Sequence, residues 1–225
     1  MRLFTSLFLA FFAVFSLHAQ LGVQATANFH NSSSVFLTGV GEVNVPELET
    51  GAELAVNYWF RLPKQRVEFL PTLYYAQTSD DWSAPDDNFY LKEIGFQLKT
   101  NIYPFDFLGD CDCPTFGKQG PQLQKGFFLQ LSGGYSVYRG NADVEVASGP
   151  IGGNGFTYGG GIGLDIGISN LVTITPIASV RVGTGPYQEL EIPNFNGQIT
   201  AADGPRLTTF QLGILTSFRF DHKRY

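Results

Sequence analysis

The sequence predicts an all-β fold, an eight-stranded antiparallel up-and-down transmembrane β-barrel, on three observations. Apolar and polar residues alternate with period two through most of the chain. Turn-rich stretches cut that alternation into eight segments. The connections between segments are mostly long at one end and short at the other.

Composition points the same way. The chain has 225 residues, enough for one domain, and only 15% are charged, against roughly 25% in ordinary soluble domains. Its 21 Phe, 10 Tyr and 26 Gly favour strands over helices. A net charge of −6 argues against a nucleic-acid partner, which needs concentrated Lys and Arg. Residues 1–19 read as a signal peptide: Arg2 is the positive start, Leu3 to Leu17 the apolar core, and Ala19 the small residue at the cleavage point. The barrel domain then occupies 20–225. It holds no other apolar run long enough for a spanning helix.

The first segment is LGVQATANF, Leu21 to Phe29. The second, GAELAVNYWFR, sets Leu54, Val56, Tyr58 and Phe60 against Glu53, Asn57 and Arg61. A tight turn at Pro63 and Lys64 would bring Phe60 opposite Val67 and Tyr58 opposite Phe69 in the third segment. There Val67, Phe69, Leu73 and Tyr75 oppose Glu68, Thr72 and Tyr74. The fourth sets Ile94, Phe96, Leu98 and Ile102 against Glu93, Gln97, Lys99 and Asn101. In the fifth, Phe127, Leu129, Leu131, Tyr135 and Val137 oppose Gln130, Ser132, Gly134 and Ser136.

The sixth and seventh segments share the run GGGIGLDIGISNLVTITPIASVRV. Ile162, Leu164, Ile166 and Ile168 oppose Gly161, Gly163, Asp165 and Gly167. After the turn at Asn170, Val172, Ile174, Ala178, Val180 and Val182 oppose Thr173, Thr175, Ser179 and Arg181. The eighth sets Phe210, Leu212, Ile214, Phe218 and Phe220 against Thr209, Gln211, Gly213, Ser217 and Arg219. Long connections are expected over 30–50, 78–88, 140–154 and 184–205. Short turns follow the second and sixth segments. The connection over 106–124 is long at the short-turn end and breaks the pattern.

A soluble barrel or a secreted β-sandwich binding protein would show the same alternation with the oily face inward. Volume separates the cases. An eight-stranded barrel has an interior just wide enough for side chains to fill, and the large aromatic set would crowd it. The small polar set fits. Spanning strands need about 9–11 residues, a length most of the later segments reach. Aromatic residues collect near segment ends, as at Tyr58, Tyr90, Tyr135 and Phe218. The oily face is therefore expected to meet outer-membrane lipid, with Asp165 pointing into the barrel.

The pattern and the final segment, QLGILTSFRF, resemble the small outer-membrane β-barrel proteins of Bacteroidota, of the OmpA/OmpX-like and PorT-like type. The resemblance covers the whole mature chain. It departs at Thr216, where an apolar residue is usual, and at DHKRY, which follows Phe220. It implies location in the outer membrane of a Gram-negative bacterium and recognition of the last strand by the barrel-assembly machinery. It carries over no catalytic motif.

The residues themselves name no catalytic, cofactor-binding or metal site. His30, in HNSSS, would need an aligned serine and a supporting carboxylate to serve a lipid hydrolase. The glycines of GGNGFTYGGGIGLDIG precede no helical pattern and are no nucleotide fingerprint; they leave room in the barrel for larger side chains opposite. Cys111 and Cys113 form a candidate disulfide or redox pair, with three readings open: a strained local bridge, a bond to another chain, or two metal ligands. Their loop is a candidate contact for a periplasmic protein. The inward charges Glu53, Arg61, Glu68, Glu93, Lys99, Asp165, Arg181 and Arg219 are expected to form a paired polar network plugging the lumen. The expected role is thus structural, adhesive or interactive, not enzymatic. The alternatives are a narrow pore or an accessory barrel for secretion or transport.

Overall fold

A computed structural model describes residues 20–32, 35–37, 41–43, 50–62, 65–79, 90–106, 122–144, 147–169, 171–186, 191–193, 199–201 and 206–219. Eight strands make the wall: β1 Gln20–Ser32, β2 Thr50–Arg61, β3 Val67–Ser79, β4 Tyr90–Ile102, β5 Phe127–Val144, β6 Ala147–Leu164, β7 Val172–Thr184 and β8 Arg206–Arg219. Past Asp165, β6 resumes for Ile166–Gly167. Each strand pairs antiparallel with its sequence neighbours, and β8 returns to pair with β1 from Gln20↔Arg219 to Ser32↔Leu207. The barrel is closed and leaves no sheet edge around its wall. One continuous sheet excludes the two-sheet sandwich.

The faces are those of a membrane barrel. Leu54 is 63% exposed, Leu73 61%, Ile94 57% and Phe156 70%, while Glu53 and Asn57 are 1% exposed and Thr72 fully buried. In water, an apolar wall of this extent would forfeit on the order of 20 kcal/mol. That exceeds the roughly 5–15 kcal/mol by which a domain is stable. With the apolar set outside and the polar set inside, the fold is not the soluble barrel with its oily face inward.

Three local readings change. At the β2–β3 hairpin, Phe60 lies opposite Phe69 and Arg61 opposite Glu68, not Phe60 opposite Val67. The turn is longer than two residues: Leu62 N donates to Val67 O at 3.1 Å and Val67 N to Gln65 O at 2.8 Å. The slip is by two residues, so every side chain keeps its face. The β2–β3 ladder also lapses at Tyr58 and Trp59, where Pro71 has no N–H to donate. The second change is at 140–154, expected as a loop. There β5 and β6 stay paired out to Val144↔Ala147, so the connection is a β-ribbon. Third, small hairpins form within two other connections, Val35–Leu37 with Gly41–Val43 and Glu191–Pro193 with Ile199–Ala201.

The interior also holds large rings. Tyr74, which the sequence places on the polar face, is buried, and Phe128, Tyr103 and Tyr138 join it, beyond the small polar set expected. Space for Phe128 comes from Gly163, where a β-carbon would strike the ring, as the sequence reading of these glycines anticipated. Likewise a β-carbon at Gly95 would stand 2.5 Å from Tyr74.

Candidate functional site: the lumen

The lumen is built in two polar layers joined by amides and hydroxyls. At the turn end, Asp165 interrupts β6 and its backbone N donates to Gly126 O at 2.9 Å. Gly126 closes the single helical turn Gln122–Gly126. The Asp165 carboxylate accepts from Thr175 Oγ1 at 2.6 Å and lies 2.9 Å from the Tyr103 hydroxyl. That hydroxyl is also 2.8 Å from Glu68 Oε2, which accepts from Trp59 Nε1 at 2.6 Å. The one phenol proton serves one carboxylate at a time. Tyr103 lies just beyond β4, and burial, then Asp165 and Glu68, push its pKa well above the usual phenol value.

Around these groups Leu70, Tyr103, Phe128, Ile177 and Leu215 pack together, with Trp59 against them. They make an apolar floor. Tyr103 and Phe128 have ring centroids 5.5 Å apart, and the Arg66 guanidinium sits 4.3 Å over Tyr103 while pairing with Asp106. Backbone bonds from Tyr103 N to Arg66 O and from Asp106 N to Tyr103 O bring those residues to the floor.

Above the floor, Lys99 Nζ donates to Gln24 Oε1 at 3.1 Å, and Gln24 donates on to Thr26. Gln130 donates to Asn101 and Thr72 to Asn57. The upper layer centres on Arg181. Its guanidinium reaches Glu53 at 2.6 Å and Glu93 at 2.9 Å, and lies 4.4 Å over the Tyr74 ring. Tyr74 donates to the other Glu93 oxygen at 2.7 Å. Gln211 donates to Glu53 and Asn28. Above them, the His30 ring is held between Thr209 at 3.0 Å and Thr78 at 2.7 Å.

Six of the eight charges expected inside, Glu53, Glu68, Glu93, Lys99, Asp165 and Arg181, are buried in the lumen. Five of them fall in two groups instead of one network, and Lys99 lies apart on Gln24. Arg181 gathers Glu53 and Glu93, whereas Glu68 and Asp165 meet at Tyr103. Arg61 and Arg219 are placed by backbone register opposite Glu68 and Gln20; their side chains lie outside the described residues. So do Cys111 and Cys113, and Ser33 and Ser34 beside His30. Sequence reasoning missed Trp59, Gln24, Asn28 and Tyr103. Period two would have found all four, since each stands on the inward parity of its strand or just past its end.

Among the described residues, no three of His, Cys, Asp and Glu gather as metal ligands. Both His30 ring nitrogens are occupied by threonine hydroxyls, which leaves it without the serine and carboxylate of a hydrolytic triad among the described residues.

No family model and no curated relative matches the chain. Solved structures similar to it include neisserial surface protein A, at 14% identity and TM-score 0.44, covering 89% of this chain and 97% of that one. A major outer membrane protein from Thermus thermophilus is 12% identical with TM-score 0.47, covering 90% and 99%. The outer membrane protein OprG from Pseudomonas aeruginosa is 10% identical with TM-score 0.47, covering 90% and 96%.

Proposed function

We propose that this chain is a non-enzymatic outer-membrane β-barrel protein of a Gram-negative bacterium, with a lumen closed by paired polar side chains and a structural, adhesive or interaction role. One observation carries the reading: a closed eight-stranded sheet wears its apolar side chains outward and buries an arginine between two glutamates inside. Only a bilayer offers that outer face a favourable solvent. On this reading residues 1–19 direct export and are removed, and the last strand is the segment that the barrel-assembly machinery recognises. The Cys111–Cys113 arm then lies on the periplasmic side, available to a periplasmic protein. The Bacteroidota and PorT-like character rests on the sequence resemblance alone.

Closure of the lumen is favoured over a narrow pore. The apolar floor at Tyr103 and Phe128 and the Arg181 layer place packed side chains at two levels of the lumen, which supports closure. Planar-bilayer recording on the purified chain tests this. The closed reading expects no steady single-channel conductance in molar salt. Regular, long-lived openings would instead make it a pore.

A further inference from the structure

We propose that Lys92 and Arg139 form a docking site, on the outer wall at the loop end, for the phosphate-bearing headgroup of a membrane lipid. The two residues are directly opposite each other on β4 and β5, both on the outward face and both exposed. Like charges so placed repel and destabilise the pair. Among the described residues neither has a carboxylate partner. The strand residues with described outward-facing charge are Lys92, Arg139 and Arg206, all cations; Lys92 and Arg206 stand near the loop ends of their strands, and Arg139 is level with Lys92 where β5 runs on into the ribbon. An anion seated between Lys92 and Arg139 turns that repulsion into attraction.

The surroundings match a phosphate on an amphiphile. Gln77 of β3 stands opposite Lys92 and extends the row. Its carbonyl oxygen accepts from the Tyr75 hydroxyl at 3.2 Å, which leaves its amide N–H groups as donors. Lys92 Nζ lies 5.2 Å from the centre of the Tyr90 ring, so a cation–π contact steadies the ammonium at the rim. On the far side Arg139 stands opposite Gly152 and is itself exposed, so its planar guanidinium can make a two-point contact with phosphate oxygens. One row toward the barrel middle come Tyr75, Ile94 and Val137, all exposed and mutually aligned. A headgroup on the cations would therefore lay its acyl chains along this apolar wall. A free anion or an acidic peptide would use the charges and leave the wall unused.

This site rests on the reading of the wall as lipid-facing, and the test separates the two. The full chain is placed in phosphatidylcholine nanodiscs and titrated with lipid A bearing both phosphates, retained lipid being counted by native mass spectrometry. The expected result is one tightly held lipid A per barrel, weakened by about tenfold in the Lys92→Gln/Arg139→Gln double variant. Lys125→Gln, at the opposite end, should bind as the unmodified chain does. A double variant that keeps full retention while still showing the heat-dependent gel mobility of a folded barrel overturns the site. Displacement of lipid A by equimolar inorganic phosphate or an acidic peptide overturns the lipid as occupant. Failure of the unmodified chain to insert at all removes the membrane reading, and this site with it.

Discussion

Arg181 illustrates how far a single inward position can govern this barrel. Its guanidinium is 3% exposed and joins β7 to Glu53 of β2 and Glu93 of β4. Replacing it with leucine leaves two buried carboxylates uncompensated, a loss of about 3–5 kcal/mol. Urea unfolding in lipid vesicles should register that loss. Adding Glu53→Gln and Glu93→Gln should recover part of it, because amides tolerate the site without a cation. Gly163 makes a second case. Gly163→Ala drives a methyl group into the Phe128 ring, and overpacking of that kind costs about 1–3 kcal/mol. Phe128→Leu in the same chain should relieve much of it, which an unfolding series would resolve. Parity along the strands made Glu53, Glu93 and Arg181 legible as inward residues. Their grouping was not legible, because which inward residues share a height depends on the stagger between strands, which alternation does not reveal.

At the level of the element, β8 offers the clearest contrast between depth and face. Leu212 stands midway along the strand and is 57% exposed, opposite Ala27 and Ala178. Phe218 lies near the turn end. Leu212→Arg should destabilise by about 2–4 kcal/mol, while Phe218→Arg should cost about 0–1 kcal/mol, since a charge near the interface reaches water. Equal costs at the two positions would speak against a bilayer around the strand. The β2–β3 hairpin marks where element-scale reading stops. Pro63 pointed to a tight turn, but the observed register puts Phe60 on Phe69, with ring centroids 5.4 Å apart. Turn length is set by backbone bonds at Leu62 and Val67 that no residue pattern announces. The β5–β6 ribbon was hidden for a related reason: its Gly- and Pro-containing run GPIGGNG carries loop chemistry yet pairs as strand.

For the whole molecule, strand number and the sense of the two faces were both legible. Eight alternating segments carry large apolar residues on one parity and small polar ones on the other. Volume alone then decides which set an eight-stranded interior can hold. Closure was implied by the number of strands and is realised by the β1–β8 ladder. The rings inside the barrel were the part volume reasoning underrated. Tyr74 and Phe128 fit because glycines stand opposite them, so the interior is filled by pairs of large and absent side chains.

The central claim is that the apolar wall meets lipid. Its most direct measurement is gel mobility of the protein from the isolated outer-membrane fraction, with and without boiling in SDS. The account predicts recovery in that fraction and a compact, faster-running band that converts to the unfolded position only on heating. Recovery as a freely soluble periplasmic or secreted protein, with the same mobility before and after boiling, would contradict it.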